Sequence, residues 1–537
     1  MTTQADIVTI AAALEFRRAE SPTAVAVDFP AGDRRLTFEE WDDAATCLAR
    51  ALTDEGMVPG DRVALLAENR PEWMIVQLGL ARAGLVAVPV NTHFRAEELS
   101  YVLRQSRSRM LFLTESFRSN AFLDSLREIE SGLPALERAV VIGSASEDSA
   151  GLATLQDMLL AGAGSQTALP AVSAGDACAI IYTSGTTGRP KGATLSHEGV
   201  MANGRLTFER LGVTGNDIVT SIVPMFHSAS YCTCLPGCLA TGATYVGLET
   251  FDAVEMMRVI QDRRATVHIG VPTTFRAMLN HPERHRFDLS SLRVGTCGGA
   301  DTDPALLEEC ARTFPIPGVV QVYGLTEASA LATCPDPTAE TRFATAGPPL
   351  PRYEVRIAPI PGEEAAAAPG AGELGEIQLR TRYRMLGYFD MDEESHATFT
   401  DDGWLRTGDV GSLTIDGDLV LNGARIKDII IRGGENIYPA EIESVLHRHP
   451  GVHEAAVFGV PDDALGEVVV AAVVCDASTT AEQLSAFCAE RLARFKVPTV
   501  FFTLAEMPLT ASGKIRKVEL QSRARDGALQ ELAGSVS

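Results

Sequence analysis

Between Asp61 and Tyr323 short apolar runs alternate with stretches of helical period, and that rhythm leaves few folds open. Asp61–Ala67 reads as a strand, Pro71–Gly84 as a helix opened by proline, Leu85–Val90 as a strand, Ala96–Arg107 as a helix and Arg109–Leu113 as a strand. The pattern resumes with strand Cys178–Thr183, a helix from about His197, strands Ile218–Val223 and Ala243–Leu248, helix Ala253–Arg264 and strand Thr266–Val271. It closes with strand Leu292–Cys297, helix Pro304–Phe314 and strand Val319–Tyr323. Strands spaced by helices join as βαβ units, which make mostly parallel sheets. So many strands predict two such sheets rather than one.

After about Pro348 the pattern becomes antiparallel β. Arg352–Ala358 and Glu373–Arg380 read as strands, and Val410–Ile415 with Asp418–Asn422 as a hairpin turning at Asp416-Gly417. From Asp428 a compact α+β unit follows, with strand Ile429–Arg432, helix Pro439–Arg448, strands Ala455–Val460 and Val468–Cys475, and helix Ala481–Leu492. The Ala/Gly/Ser-rich stretch Ser144–Asp176 reads as a surface connection. The predicted fold class is α/β: a large N-terminal domain, residues 1–426, of two α/β sheet subdomains plus a small β-barrel-like subdomain. A small α+β domain, residues 427–537, follows it.

Composition narrows the partners. With 46 Lys+Arg against 70 Asp+Glu, a net charge of −24 argues against nucleic acid, whose phosphates are held by basic faces. It leaves small anions open, since they need only a local cluster of donors. No apolar run reaches the about 20 residues that span a bilayer, and Asp6 stands where a secretion signal would carry a basic residue. A cytoplasmic location is expected. Ten cysteines in 537 residues do not suggest a disulfide scaffold, and Cys232, Cys234 and Cys238 lack the paired halves of a zinc site, so buried reduced thiols are expected.

The segment Tyr182-T-S-G-T-T-G-R-P-Lys191-Gly192 carries the chemistry. Read as lying between a strand and a helix, it can aim backbone N–H groups at a phosphate. Thr183, Ser184, Thr186 and Thr187 add hydroxyls, Gly185 and Gly188 allow close approach, and Lys191 adds a point charge. Gly192 in place of Ser or Thr after the lysine separates it from a Walker A loop, and the dinucleotide fingerprint does not fit either. A plain surface turn would not need such donor density.

This segment resembles the phosphate-binding signature of the adenylate-forming superfamily, which includes acyl-CoA synthetases, amino-acid adenylation domains and luciferases. Further signatures follow in the expected order and extend the resemblance over essentially the whole chain. Tyr323-G-L-T-Glu327 is similar to the second signature, Thr407-G-Asp409 to the third, Arg425-I-Lys427-Asp428 to the domain hinge and Pro508-L-T-A-S-Gly513-Lys514 to the C-terminal lysine motif. Ala424 departs from the pattern where many members place Gly.

The resemblance implies an AMP-forming acid–thiol ligase. A carboxylate attacks the α-phosphorus of ATP to give acyl-AMP and pyrophosphate, and the thiol of coenzyme A then displaces AMP. It implies that Lys514 bridges the substrate carboxylate and the α-phosphate, that Glu327 holds Mg²⁺ and that Thr183–Lys191 hold the departing phosphates. Tyr323 would lie near adenine, Asp409 would take the ribose hydroxyls, and Arg425 would meet ribose or phosphate. Gly299, Ala300, Gly324 and Thr326 complete the expected ATP site. The C-terminal domain is expected to rotate about Lys427 between half-reactions, bringing Gly433, Gly434, Glu435 and Tyr438 to the coenzyme A site.

The acyl pocket is expected from His227, Tyr231, Val271, Gly298, Gly299 and Leu325, with His227 either touching substrate or gating the site. Residues 224–240 contain no acidic side chain to pair with an ammonium group, which disfavours an amino acid. An aliphatic or aryl-aliphatic acid fits, with chain length, branching and ring content left open. Only 23 residues follow Lys514, so a free thiol is the expected acceptor. Two alternatives stay open: a ligase that loads a separate carrier protein, and a catalytically silent nucleotide sensor. Dimers are common among the resembling enzymes, so a homodimer is one expected assembly.

Overall fold

The computed structural model describes residues 7–144, 146–183, 190–299, 302–360, 368–432, 435–462, 465–492, 494–509 and 515–534. It divides into two compact units, Met1–Val355 with Leu379–Leu405, and Arg356–Gln378 with Arg406–Ser537.

The first unit holds two large sheets. One has seven strands in the order Gly318–Gln321, Val294–Cys297, Val267–Gly270, Ile218–Ser221, Thr244–Gly247, Val25–Phe29 and Arg34–Thr37. All neighbours are parallel except the last pair. The other has eight, in the order Gly387–Tyr388, Lys191–Ser196, Ala177–Thr183, Val86–Pro89, Arg62–Leu66, Met110–Leu113, Arg138–Val141 and Ala153–Thr154. Met110–Leu113 is buried throughout, which is why it reads as an unbroken apolar run; Val294–Cys297 is buried throughout as well, with Gly295 and Thr296 among its residues. Each fully buried Val or Leu contributes about 1.5–3 kcal/mol.

Helix ends follow local chemistry. Pro71 opens the helix Pro71–Arg82, Asp252 caps Ala253–Arg263, and Arg264 closes the latter in a left-handed conformation. The stretch Ser144–Asp176 is not merely a connection. Ala153–Thr154 forms the edge of the eight-stranded sheet, and Leu155–Ala163 is a helix with a Thr154/Asp157 capping box. That helix packs on Phe38–Asp54 so closely that a Cβ on Gly162 would sit 1.7 Å from the Cys47 carbonyl oxygen. Small residues here serve helix-to-helix contact rather than a linker.

A four-stranded sheet runs Tyr353–Ala358, Gly375–Thr381, Leu405–Leu413, Leu419–Arg425. In the second unit the long hairpin Val452–Asp462 with Gly466–Cys475 is the spine, and Val500–Thr503 lies parallel to its second strand. Val469, Ala471 and Val473 face Ile442, Leu484 and Phe501; Val470 and Ala472 face Phe458, Met507 and Leu520. Burial on both faces explains the apolar run there. Among the described residues no helix is long and apolar enough to cross a membrane. All ten cysteines are free thiols, and all but Cys47 and Cys475 are buried.

Candidate active site

The phosphate segment differs from its expected setting. Ala177–Thr183 pairs antiparallel with Lys191–Ser196, with Thr183 opposite Lys191, so the segment joins two strands of a hairpin rather than a strand and a helix. The helix His197–Arg210 begins later, capped by Ser196. Pairing decides this: residues 191–196 stand antiparallel to residues 183–177, and the same strand pairs on its other side with Gly387–Tyr388, which makes Lys191–Ser196 a strand. Ser184, Gly185, Thr186, Thr187 and Gly188 lie outside the described residues, as does Ala300.

The second signature forms a tight turn. Tyr323–Leu325 pairs with Ala330–Thr333, leaving the strand Gly318–Gln321 to end before Tyr323. Gly324 is required there, because a Cβ would stand 1.9 Å from the Ala330 carbonyl oxygen. Ser329 and Ala330 both have positive φ, +60° and +94°, so strain is concentrated two residues from Glu327.

Glu327 is the point on which this part of the site converges. Its Oε1 accepts hydrogen bonds from the Tyr388 hydroxyl at 2.7 Å and the Thr183 hydroxyl at 3.3 Å. Its backbone carbonyl accepts from the Met385 N–H at 2.8 Å. The Lys191 ammonium lies 5.3 Å from the centroid of the Tyr388 ring. Thr183 and Lys191, opposite each other in the hairpin, are thus brought to Glu327 and to its partner Tyr388 from a distant stretch of sequence. Tyr388 had no signal in the sequence, since its partners lie in two other segments.

The acyl side is tied to this turn by the Thr326 hydroxyl, which donates to Ser228 at 3.0 Å. His227 Nδ1 accepts from the Ala229 N–H at 3.2 Å, which assigns the ring proton to Nε2. Tyr231 is fully buried, edge-on to Trp73, with its hydroxyl donating to the Cys178 carbonyl at 3.3 Å; burial pushes its phenol well up. Gly298 is wedged against Val322, where a Cβ would sit 2.7 Å from Cγ2. Gly299 is exposed with φ +78°, and among the described residues only Val271 Cγ1 would approach a Cβ there, at 3.7 Å. Leu325 is half-buried, between Gly324 and Thr326 in sequence.

Asn69 is an unforeseen support of this side. Its Nδ2 donates to the Val223 carbonyl at 3.3 Å and its Oδ1 accepts from the Met225 N–H at 2.8 Å, all three residues being buried. Asn69 follows the carboxyl end of the strand Arg62–Leu66, where open α/β sheets bind ligands, and that position was its signal.

The remaining residues belong to the second unit. Asp409 pairs in register with Arg425, and its N–H donates to Thr407 Oγ1 at 3.0 Å. Thr407 in turn donates to the Ile377 carbonyl at 2.6 Å, so the T-G-D segment is held on both sides. Lys427 lies in a single 3₁₀ turn, Ile426–Asp428. Ile430–Arg432 and Glu435–Ile437 form a hairpin, and Tyr438 precedes the helix Pro439–Leu446. Gly433, Gly434 and Lys514 lie outside the described residues. On either side of Lys514, Leu509 bridges Ile515 and the Arg516 N–H donates to the Pro508 carbonyl at 2.8 Å.

The AMP-binding enzyme profile matches residues 14–389, and the AMP-binding enzyme C-terminal domain matches residues 441–514. The chain belongs to the AMP-binding enzyme family. This AMP-binding enzyme is 37% identical over 496 residues to a 3-[(3aS,4S,7aS)-7a-methyl-1,5-dioxo-octahydro-1H-inden-4-yl]propanoyl:CoA ligase of Rhodococcus jostii (strain RHA1), covering 90% of this chain and 93% of that one. It is 33% identical over 540 residues to the putative acyl-CoA synthetase YngI of Bacillus subtilis (strain 168), covering 96% and 97%. It matches the structure of the anthranilate CoA ligase AuaEII in complex with anthranoyl-AMP with a TM-score of 0.86 and 26% identity, covering 98% and 100%. The AMP-binding enzyme described here is therefore of the acyl-CoA synthetase type, an AMP-forming acid–thiol ligase with ATP and coenzyme A as co-substrates.

Proposed function

We propose that this enzyme activates an apolar carboxylic acid as its adenylate and passes the acyl group to coenzyme A. The observation that carries the reading is the cluster in which Thr183 and Tyr388 both bond the Glu327 carboxylate and Lys191 lies over the Tyr388 ring. Carboxylate oxygen is a poor leaving group, and AMP is a good one. Charge grows on the phosphate oxygens as pyrophosphate departs, so donors and cations fixed beforehand lower the barrier.

Thr183 and Lys191, with Ser184, Gly185, Thr186, Thr187 and Gly188, would hold the β- and γ-phosphates. Gly299, Ala300, Tyr323, Gly324 and Thr326 would frame the adenosine and α-phosphate, and Asp409 and Arg425 the ribose. Lys514 would bridge carboxylate and α-phosphate. Glu327 suits Mg²⁺: one oxygen is pinned by two hydroxyls, and Oε2 has no hydrogen-bond partner among the described residues, leaving a hard donor for an ion held mostly by phosphates and water. Mg²⁺ bound there would neutralise charge on the leaving pyrophosphate.

Rotation at Lys427 would then withdraw Lys514 and bring Gly433, Gly434, Glu435 and Tyr438 to the coenzyme A site. A 3₁₀ turn between two strands is a place where few residues absorb a backbone change. For the acid, His227, Tyr231, Val271, Gly298, Gly299 and Leu325 supply an apolar, small-residue lining. The relatives' fused-ring propanoate and anthranilate support a substrate with ring character. A cytoplasmic homodimer is the proposed form.

The test is pyrophosphate and AMP release from Mg·ATP over a panel of carboxylic acids, with and without coenzyme A. Turnover needing both an acid and coenzyme A is the expected result; exchange of pyrophosphate with acid but no gain from coenzyme A would move the acceptor to a carrier protein. Lys514→Ala should lose adenylation yet convert supplied acyl-adenylate to thioester, and equal loss of both steps would refute the division of labour.

A further inference from the structure

Tyr388 lies on the two-residue strand Gly387–Tyr388 at the edge of the eight-stranded sheet, paired with Ala193 of the strand that begins at Lys191. Its position is fixed from its own side. The Tyr388 N–H donates to Ser395 Oγ at 2.8 Å, and Ser395 Oγ donates to the Met391 carbonyl at 2.6 Å. Flanking backbone bonds hold the same segment: the Leu386 N–H to the Thr194 carbonyl at 2.8 Å, and the Phe389 N–H to the Gly192 carbonyl at 2.8 Å. Three residues before Tyr388, the Met385 N–H grips the backbone carbonyl of Glu327. The segment therefore meets Glu327 twice, at the main chain through Met385 and at the carboxylate through Tyr388.

The side chain of Tyr388 works at both ends. Its hydroxyl donates to Glu327 Oε1, and its ring is 5.3 Å from the Lys191 ammonium. A free glutamate has three rotatable bonds; a hydrogen bond to one oxygen selects the rotamer and turns the other oxygen toward its ligand, as outer partners do for metal-binding carboxylates. An ammonium over an aromatic face keeps its charge and its N–H donors while its direction is set. One phenol thus orients both the anion and the cation assigned to the leaving pyrophosphate.

We propose that Tyr388 is a positioning residue for the adenylation half-reaction, acting through Glu327 by its hydroxyl and through Lys191 by its ring. The proposal rests on the reading of Glu327 as the Mg²⁺ carboxylate. It predicts different losses from two substitutions. Tyr388→Phe keeps the ring and removes the hydroxyl; Tyr388→Leu removes both.

Binding of Mn²⁺ to the full-length enzyme with ATP, followed by electron paramagnetic resonance without any acid, tests it directly. Tyr388→Phe should weaken Mn²⁺ binding about 10-fold, the lower end of what outer-partner changes cost. Tyr388→Leu should in addition weaken metal-free ATP binding, read by calorimetry, about threefold. Combining Tyr388→Phe with Glu327→Gln should add nothing beyond Glu327→Gln alone, because the hydroxyl then has no carboxylate to hold. In pyrophosphate exchange the loss should appear as a raised Mg²⁺ requirement, with thioester formation from supplied acyl-adenylate unaffected.

Wild-type Mn²⁺ affinity in Tyr388→Phe would overturn the proposal, as would full additivity with Glu327→Gln or equal loss of both half-reactions. Absence of acid-dependent exchange in the wild-type protein would instead overturn the ligase reading, and the Mn²⁺ comparison would still decide the role of Tyr388.

Discussion

The leaving-group side and the acyl side of the first unit are held by opposite means. On the leaving-group side, side chains hold one another: Tyr388 and Thr183 bind the Glu327 carboxylate, and Lys191 lies against Tyr388. On the acyl side, backbone is the thing held. Asn69 grips the amide and carbonyl of residues 225 and 223, and Gly298 is wedged against Val322. Charge that appears during a reaction demands polar groups fixed in advance, whereas an acyl group demands space. Under the proposed assignment, the nucleotide chemistry is written in side-chain identity, and the acid preference in backbone placement and small residues.

The sharpest way to break this contrast is Glu327→Ala. Adenylation should fall about 10²–10³-fold, the size seen when one preorganised stabiliser is removed. Thioester formation from supplied acyl-adenylate should persist. Comparable loss in both steps, measured by rapid quench, would show that the two sides are not separable.

A second test asks whether the two sides share their stability against acid. His197 heads the helix that follows the phosphate hairpin, and His268 lies in the strand Val267–Gly270, just before Val271. Both are fully buried, and burial lowers each imidazole from the ordinary 6.5 to about 4. The unfolded chain takes up these protons first as pH falls. Stability should be full above pH 6.5 and decline as pH drops toward about 4, by at most about 3 kcal/mol for each ring. Urea unfolding across this range should show the slope, and His268→Phe should remove its share; an unchanged slope in that variant would refute the assignment.

Asn69→Ala should cost about 1–3 kcal/mol, chiefly by stripping the buried Met225 N–H of its partner, since the Val223 carbonyl keeps the Ser230 hydroxyl. Its kinetic signature should be a raised KM for the acid with Mg·ATP affinity retained. A parallel rise for ATP would blur the division between the two sides. The smallest expected effect is that of Gly299→Ala, where positive φ costs about 1 kcal/mol and the methyl meets, among the described residues, only Val271. It should reorder the acid panel by a small factor, read as changed ratios of kcat/KM between acids.

Much of this was legible in the chain itself. Apolar runs buried on both faces announce parallel strands, and Pro71 and Asp252 mark helix starts by their own chemistry. Three features escaped. The strand Lys191–Ser196 is short and contains glycine and threonine, so its alternation is weak beside the strong helix start at Ser196. The helix Leu155–Ala163 hides in an Ala/Gly-rich composition, although its Thr154/Asp157 box was present. Tyr388 acts on residues from two distant segments, and no local pattern reports such a contact. Motif residues can be read where backbone geometry demands them; their supports become visible only when the chain is folded.

The enclosure of the cysteines has a consequence for the enzyme's working life. A protein that makes activated acyl groups is exposed to its own nucleophiles, and a thiolate is the one that attacks fastest. Burial raises the thiol of Cys297, the residue directly before Gly298, to about 12, and pushes Cys178, Cys232 and Cys238 up as well. These sulfurs stay protonated and walled off, which makes them poor nucleophiles toward an activated acyl group.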